Sequence, residues 1–152
     1  ITDSLVGSEM CIRDRNSHHP TIESFFIAIK SNNVDHLESI FDENILFKPP
    51  TYWKEWQGKE VVARILSHVG SVFKNLEYKR VLCNDLDYFL EFNCKIGDLD
   101  ATGVDMITLN KRGLIEKFEV VMRPYKSVGE LRKSMTFLTS NDPFFTSLQV
   151  KK

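Results

Sequence analysis

The chain has little of what marks the more specialised chemistries. Cysteine is scarce: Cys11, Cys83 and Cys94 have neither metal-type spacing nor the density of a disulfide framework, which excludes a zinc knuckle or a disulfide-stapled mini-domain. Neither sign of charge is in excess. Twenty basic residues face 21 acidic ones for a net charge of −1, so no overall field draws the chain to nucleic acid or to an anionic membrane. No apolar run approaches the roughly 18–20 residues that a membrane helix needs. His18, His19, His36 and His68 lack i, i+4 pairing and a nearby acidic ligand pattern, so no metal is expected. A phosphate-cradling glycine loop is also missing, and no cofactor is expected.

What remains is the composition of an ordinary globular domain, 42% apolar and 27% charged over 152 residues, which is one domain by length and enough to bury a core. Eleven phenylalanines favour a deep core or a lined cavity. The expected compartment is the cytoplasm.

Residues 1–15 show neither helical nor strand periodicity and resemble a translated sequencing-adaptor read-through. They are set apart as a leader, and Cys11 with them. The domain is expected over residues 16–135, followed by a loosely docked tail over 136–152 with a breaker at Asn141-Asp142-Pro143.

Within the domain, Ile22, Phe25, Phe26 and Ile29 fall at i, i+3, i+4 and i+7 after Pro20, the spacing of a helix. Asn33 caps a second, short helix carrying Val34, Leu37, Ile40 and Phe41. Ile45 to Lys48 reads as extended up to Pro49-Pro50. A loop with Tyr52, Trp53 and Trp56 precedes a third helix, in which Val61, Ile65 and Val69 make an apolar line flanked by Val62, Leu66 and Phe73. Gly70 should weaken its last turns. From Leu76 the period becomes two. Leu76, Tyr78 and Leu82 mark one strand, and Leu86 to Ile96 a longer one. Thr102–Leu109 and Ile115–Arg123 flank an Asn110-Lys111-Arg112-Gly113 hairpin. A last short helix is expected from Val128 to Met135. Helices followed by a meander give an α+β fold.

Five segments then come in a recognisable order: Gln57-Gly58-Lys59-Glu60-Val61-Val62, Phe89-Leu90-Glu91-Phe92, Gly103-Val104-Asp105-Met106, Gly113-Leu114-Ile115 and Val121-Met122-Arg123-Pro124. Over Thr21 to Met135 the chain resembles SnoaL-like members of the nuclear transport factor 2-like superfamily. The resemblance implies a cone-shaped α+β barrel, with three N-terminal helices packed on a curved antiparallel sheet. Isomerases, epoxide hydrolases, cyclases and non-catalytic binding modules share that scaffold, so function has to come from the site.

The resemblance also allows named chemistries to be tested. Ketosteroid isomerases use a carboxylate base together with a tyrosine and a protonated aspartate as oxyanion donors. Alignment on the first helix puts Phe25 at the tyrosine and Lys48 at the base, leaving Asp105 as a match to a donor. Limonene-type epoxide hydrolases need an Asp-Arg-Asp set. Asp105 matches the first carboxylate, but Gly103 falls at the arginine and the second aspartate falls near Val120. Cyclase chemistry with one desolvated carboxylate as base asks only for Asp105.

Asp105 alternates with Gly103, Ile107 and Leu109, so it shares a strand face with apolar residues. It is the candidate catalytic or anchoring group, with satisfaction by backbone amides or pairing to Arg123 as the structural alternative. Tyr52, Trp53, Trp56, Phe92 and Met122 are expected to join it in binding a small apolar ligand. Phe89, Val104 and Met106 lie opposite the core-facing residues of their strands, and such a face implies a homodimer or another protein partner. The resulting expectation is a small-molecule binding protein. The alternatives are a cyclase or isomerase working through Asp105 and a protein-interaction module.

Overall fold

A computed structural model describes residues 18–150, so the expected leader lies outside the described residues. Helix α1 (Pro20–Ser31) opens with His19, whose Nδ1 accepts from the Thr21 amide at 3.1 Å, and it buries Ile22, Phe25, Ala28 and Ile29 along one stripe. Helix α2 (Val34–Ile40) follows, capped by the Asn33 side chain. Phe41, expected to end that helix, instead begins strand β1 (Phe41–Lys48). After the aromatic loop and a two-residue strand, β2 (Trp56–Gln57), helix α3 (Lys59–Val72) buries Val62, Ala63, Ile65 and Leu66.

Gly70 lies where α3 meets the end of α1. A Cβ there would fall 1.8 Å from Oδ1 of Asn32, so the loss of helix propensity accompanies a close approach that any larger residue would block.

Four long strands complete the sheet: β3 (Phe73–Asn84), β4 (Asp87–Ile96), β5 (Leu99–Leu109) and β6 (Ile115–Arg123). The order is β2-β1-β6-β5-β4-β3, and it differs from the expected antiparallel sheet at one seam, where β1 runs parallel to β6. The long αβ excursion between β1 and β6 permits that pairing, which a hairpin could not make. Along β5, Ala101, Gly103, Asp105, Ile107 and Leu109 are buried and their neighbours are not, so the predicted alternation holds. In β3 it breaks. Register shifts lie between Lys74 and Glu77 and between Tyr78 and Arg80, and these bulges turn Leu82 onto the outer face while Tyr78 stays inside.

The C-terminal third departs most from expectation. Helix α4 runs from Tyr125 to Ser140, well past Met135, and residues expected as a loose tail form helix α5 (Pro143–Val150). Asp142 is buried and holds α5 down. Its Oδ2 accepts from Arg64 Nε at 2.7 Å and lies 2.7 Å from His68 Nε2, while its Oδ1 accepts from Arg64 Nη2 at 3.1 Å and from the Phe144 amide at 3.0 Å. Phe145 packs behind it, edge-on to Trp56. Among the described residues, two C-terminal helices therefore join the three N-terminal ones, where one short helix was expected.

Candidate functional site

The concave side of the sheet and the helices enclose an interior that is nearly filled. A cavity of about 30 Å³ remains, room for roughly one water molecule. Phe25, Phe47, Phe73, Phe92 and Phe118 line it along with aliphatic side chains. Tyr78 and Asp105 are its polar members. The phenol of Tyr78 donates to Oδ2 of Asp105 at 2.8 Å.

This pair is a product of curvature. Tyr78 faces Phe92 across β3 and β4, Phe92 faces Gly103 across β4 and β5, and Asp105 lies two residues further along β5. In a flat sheet, alternate strands stand roughly 10 Å apart, beyond the reach of one phenol. The bulges in β3 fold it over the concave face and close that gap. Gly103 leaves the space that the arrangement needs: a Cβ there would lie 2.6 Å from Cζ of Phe92 and 2.8 Å from Cγ of Met122.

Asp105 is 5% exposed, and burial lifts its carboxyl to about 7, although the hydrogen bond from Tyr78 pulls the other way. The same burial, followed by the adjacent carboxylate, drives the Tyr78 hydroxyl well above its usual range. Buried Cys94 is likewise pushed up to about 11. A carboxyl poised near neutrality beside a phenol that stays protonated can accept or give a proton, or hold a carbonyl by hydrogen bonds.

A larger chamber of about 490 Å³ opens outside the interior cavity and shares Phe47, Pro50, Val69 and Leu131 with it. Tyr52 and Trp56 stand in its wall, hydrogen-bonded to one another, and α4 and α5 supply further lining. Phe92 lines the inner cavity instead. Trp53 does not join them. It is 99% exposed, because the loop turns it outward between Tyr52 and Trp56. Met122 packs beside Gly103 against the core without lining either space. Arg123 pairs in register with Thr102, so Tyr78 takes the place considered for it beside Asp105. The strand pattern held Tyr78 on an apolar face, and that was the available signal. The bulge that aims it was not visible.

No protein-family model and no curated protein matches the chain. Solved structures do. An uncharacterized protein with a cystatin-like fold from Silicibacter pomeroyi is 45% identical over 87% of this chain and 94% of its own, with a TM-score of 0.84. A steroid delta-isomerase from Pseudomonas aeruginosa is 28% identical over 79% of this chain and 89% of its own, with a TM-score of 0.75. An NTF-2 like protein of unknown function from Burkholderia xenovorans shares the fold at 14% identity, with a TM-score of 0.61 over 69% and 82% of the two chains. The chain belongs to the nuclear transport factor 2-like superfamily.

Within that superfamily the named chemistries can be set against geometry. Lys48, at the position of an isomerase base, is half exposed and lies 3.6 Å from Glu119 in an ion pair, so no carboxylate base stands there. Phe25 fills the position of the helix tyrosine, and its ring lies 6.3 Å from that of Tyr78, which brings a hydroxyl to the site from β3 instead. For the epoxide hydrolase arrangement, Gly103 has no room for an arginine, and Val120 faces Asp105 directly across β5 and β6. No group of three or more His, Cys, Asp or Glu placed to hold a metal occurs among the described residues. Cys94 is a free, buried thiol.

Proposed function

We propose that this protein binds a small, mostly apolar molecule. The ligand lies in the outer chamber and reaches through the constriction at Phe47, Pro50, Val69 and Leu131 to set a hydrogen-bonding group on Tyr78 and Asp105. The observation that carries the reading is that the inner cavity is walled by aromatic and aliphatic side chains except for this one hydrogen-bonded pair. Ligand sites have this composition: apolar walls with a few convergent polar groups. The inner cavity suits a carbonyl-sized end, and the outer chamber falls in the size range of drug-like ligands. Native mass spectrometry of protein purified under gentle conditions tests it. A co-purifying small molecule lost on substituting Leu131→Trp, which narrows the constriction, is the expected result. A ligand retained unchanged in that variant would place binding elsewhere.

An enzymatic form of the reading rests on the carboxyl near neutrality and on the isomerase among the similar structures. Asp105 would then take a proton from the carbon next to a bound carbonyl while Tyr78 donates to the oxygen. Deuterium uptake into a bound ketone separates the two forms. Asp105→Asn should abolish uptake and leave most of the affinity. Absence of uptake in the unaltered protein would leave binding alone.

The outer sheet face supports an assembly in either case. Leu82, Phe89 and Val121 are 45%, 49% and 47% exposed, and they join Val104 and Met106 across paired strands. A homodimer through this face would cover them. Light scattering is expected to give twice the monomer mass, and a clean monomer at micromolar concentration argues against it.

A further inference from the structure

The outer chamber has a charge of one sign. Its lining includes Lys54 from the aromatic loop and Arg132 from α4, and no aspartate or glutamate. In a chain of net charge −1 this is a local departure. The two cations come from different elements lining the chamber, and neither forms an ion pair among the described residues. Lys54 is also held in place, its Nζ lying 5.5 Å from the centroid of the Trp56 ring. At the opposite end of the path the interior offers a carboxyl surrounded by apolar walls, where a second negative charge would meet repulsion with no solvent to screen it.

We infer that the ligand is an apolar carboxylic acid that binds with its carboxylate at the mouth, between Lys54 and Arg132, and its uncharged end toward Asp105. This rests on the binding reading above and adds the ligand's charge and its direction. Arginine suits the task because its planar fork matches a carboxylate, and the ammonium on Trp56 adds a fixed positive charge beside it. Both cations are solvent-exposed, so the attraction should weaken with salt.

Fluorescence titration with cis-parinaric acid and with its methyl ester tests the inference, because the two probes share a chain and differ in charge. The acid is expected to bind about tenfold tighter than the ester in low salt. The double variant Lys54→Gln, Arg132→Gln should bring the two within about threefold while leaving the ester's affinity unchanged. Both substitutions are on the surface and preserve the fold. Equal binding of acid and ester, or a preference that survives the double variant, overturns the inference and leaves the apolar site standing. Binding of neither probe overturns both.

Discussion

Tyr78 and Asp105 touch although a whole strand lies between them. The phenol on β3 donates to the carboxyl on β5 at 2.8 Å, passing over β4 on the inside of the sheet's curve. Most of what this site can do depends on that contact, and several consequences can be measured.

The first is a pH dependence of stability with an unusual sign. Asp105 is raised from an ordinary carboxyl to about 7 in the folded chain, so between roughly pH 4 and pH 7 the folded state holds a proton that the unfolded state has released. Stability should therefore fall as pH rises through that window, by an amount on the order of 4 kcal/mol at most, and flatten above it. Asp105→Asn should remove the slope. Urea unfolding at pH 5 and pH 8 reads the difference, and identical slopes in the two proteins would be the opposing result.

The second concerns Asp142. Its carboxyl is held well below the usual range, by Arg64 first and also by His68 and the Phe144 amide. The corresponding stability is present above the unfolded value near 4 and is lost only as pH falls through the lower folded value, so it does not overlap the window of Asp105. Asp142→Ala leaves Arg64 and His68 without their partner. It is expected to cost about 2–4 kcal/mol and to raise hydrogen exchange in residues 143–150. Unchanged exchange there would show that Phe145 holds α5 without the ion pair.

The third tests the close packing under Phe92. Gly103→Ala brings a Cβ to within 2.6 Å of both Cζ of Phe92 and the carbonyl oxygen of Val121, and the backbone atom cannot swing away. A loss of about 1–3 kcal/mol in thermal or urea unfolding is expected. It should come with a shift in the Asp105 titration as Phe92 is displaced. A neutral substitution would mean that the sheet yields here without cost.

The helices α1 to α3 and the strands β4 to β6 could be read from periodicity, because burial on one face imposes a spacing of 3.6 or 2 wherever an element is regular. Asp105 stood out for the same reason, as a charge placed in phase with Ile107 and Leu109. Features that depend on irregularity were not legible. The β3 bulges that separate Leu82 from Tyr78 have no signature in composition. Asp142 read as a turn residue after Asn141, and its partners Arg64 and His68 are more than 70 positions away. Trp53 and Trp56 look alike in sequence, and only the course of the loop sends one to solvent and the other to the chamber wall.

The most direct test is the Asp105 carboxyl itself, followed by carbon-13 NMR over pH, with and without a bicyclic enone as the apolar carbonyl probe. In the free protein the midpoint should lie near 7, and Tyr78→Phe should raise it, since the phenol's hydrogen bond favours the charged form. Saturating enone should shift the resonance and move the midpoint further up, because a carbonyl oxygen on the carboxyl favours its protonated form. Saturation that leaves both resonance and midpoint where they were would contradict a ligand seated on this pair.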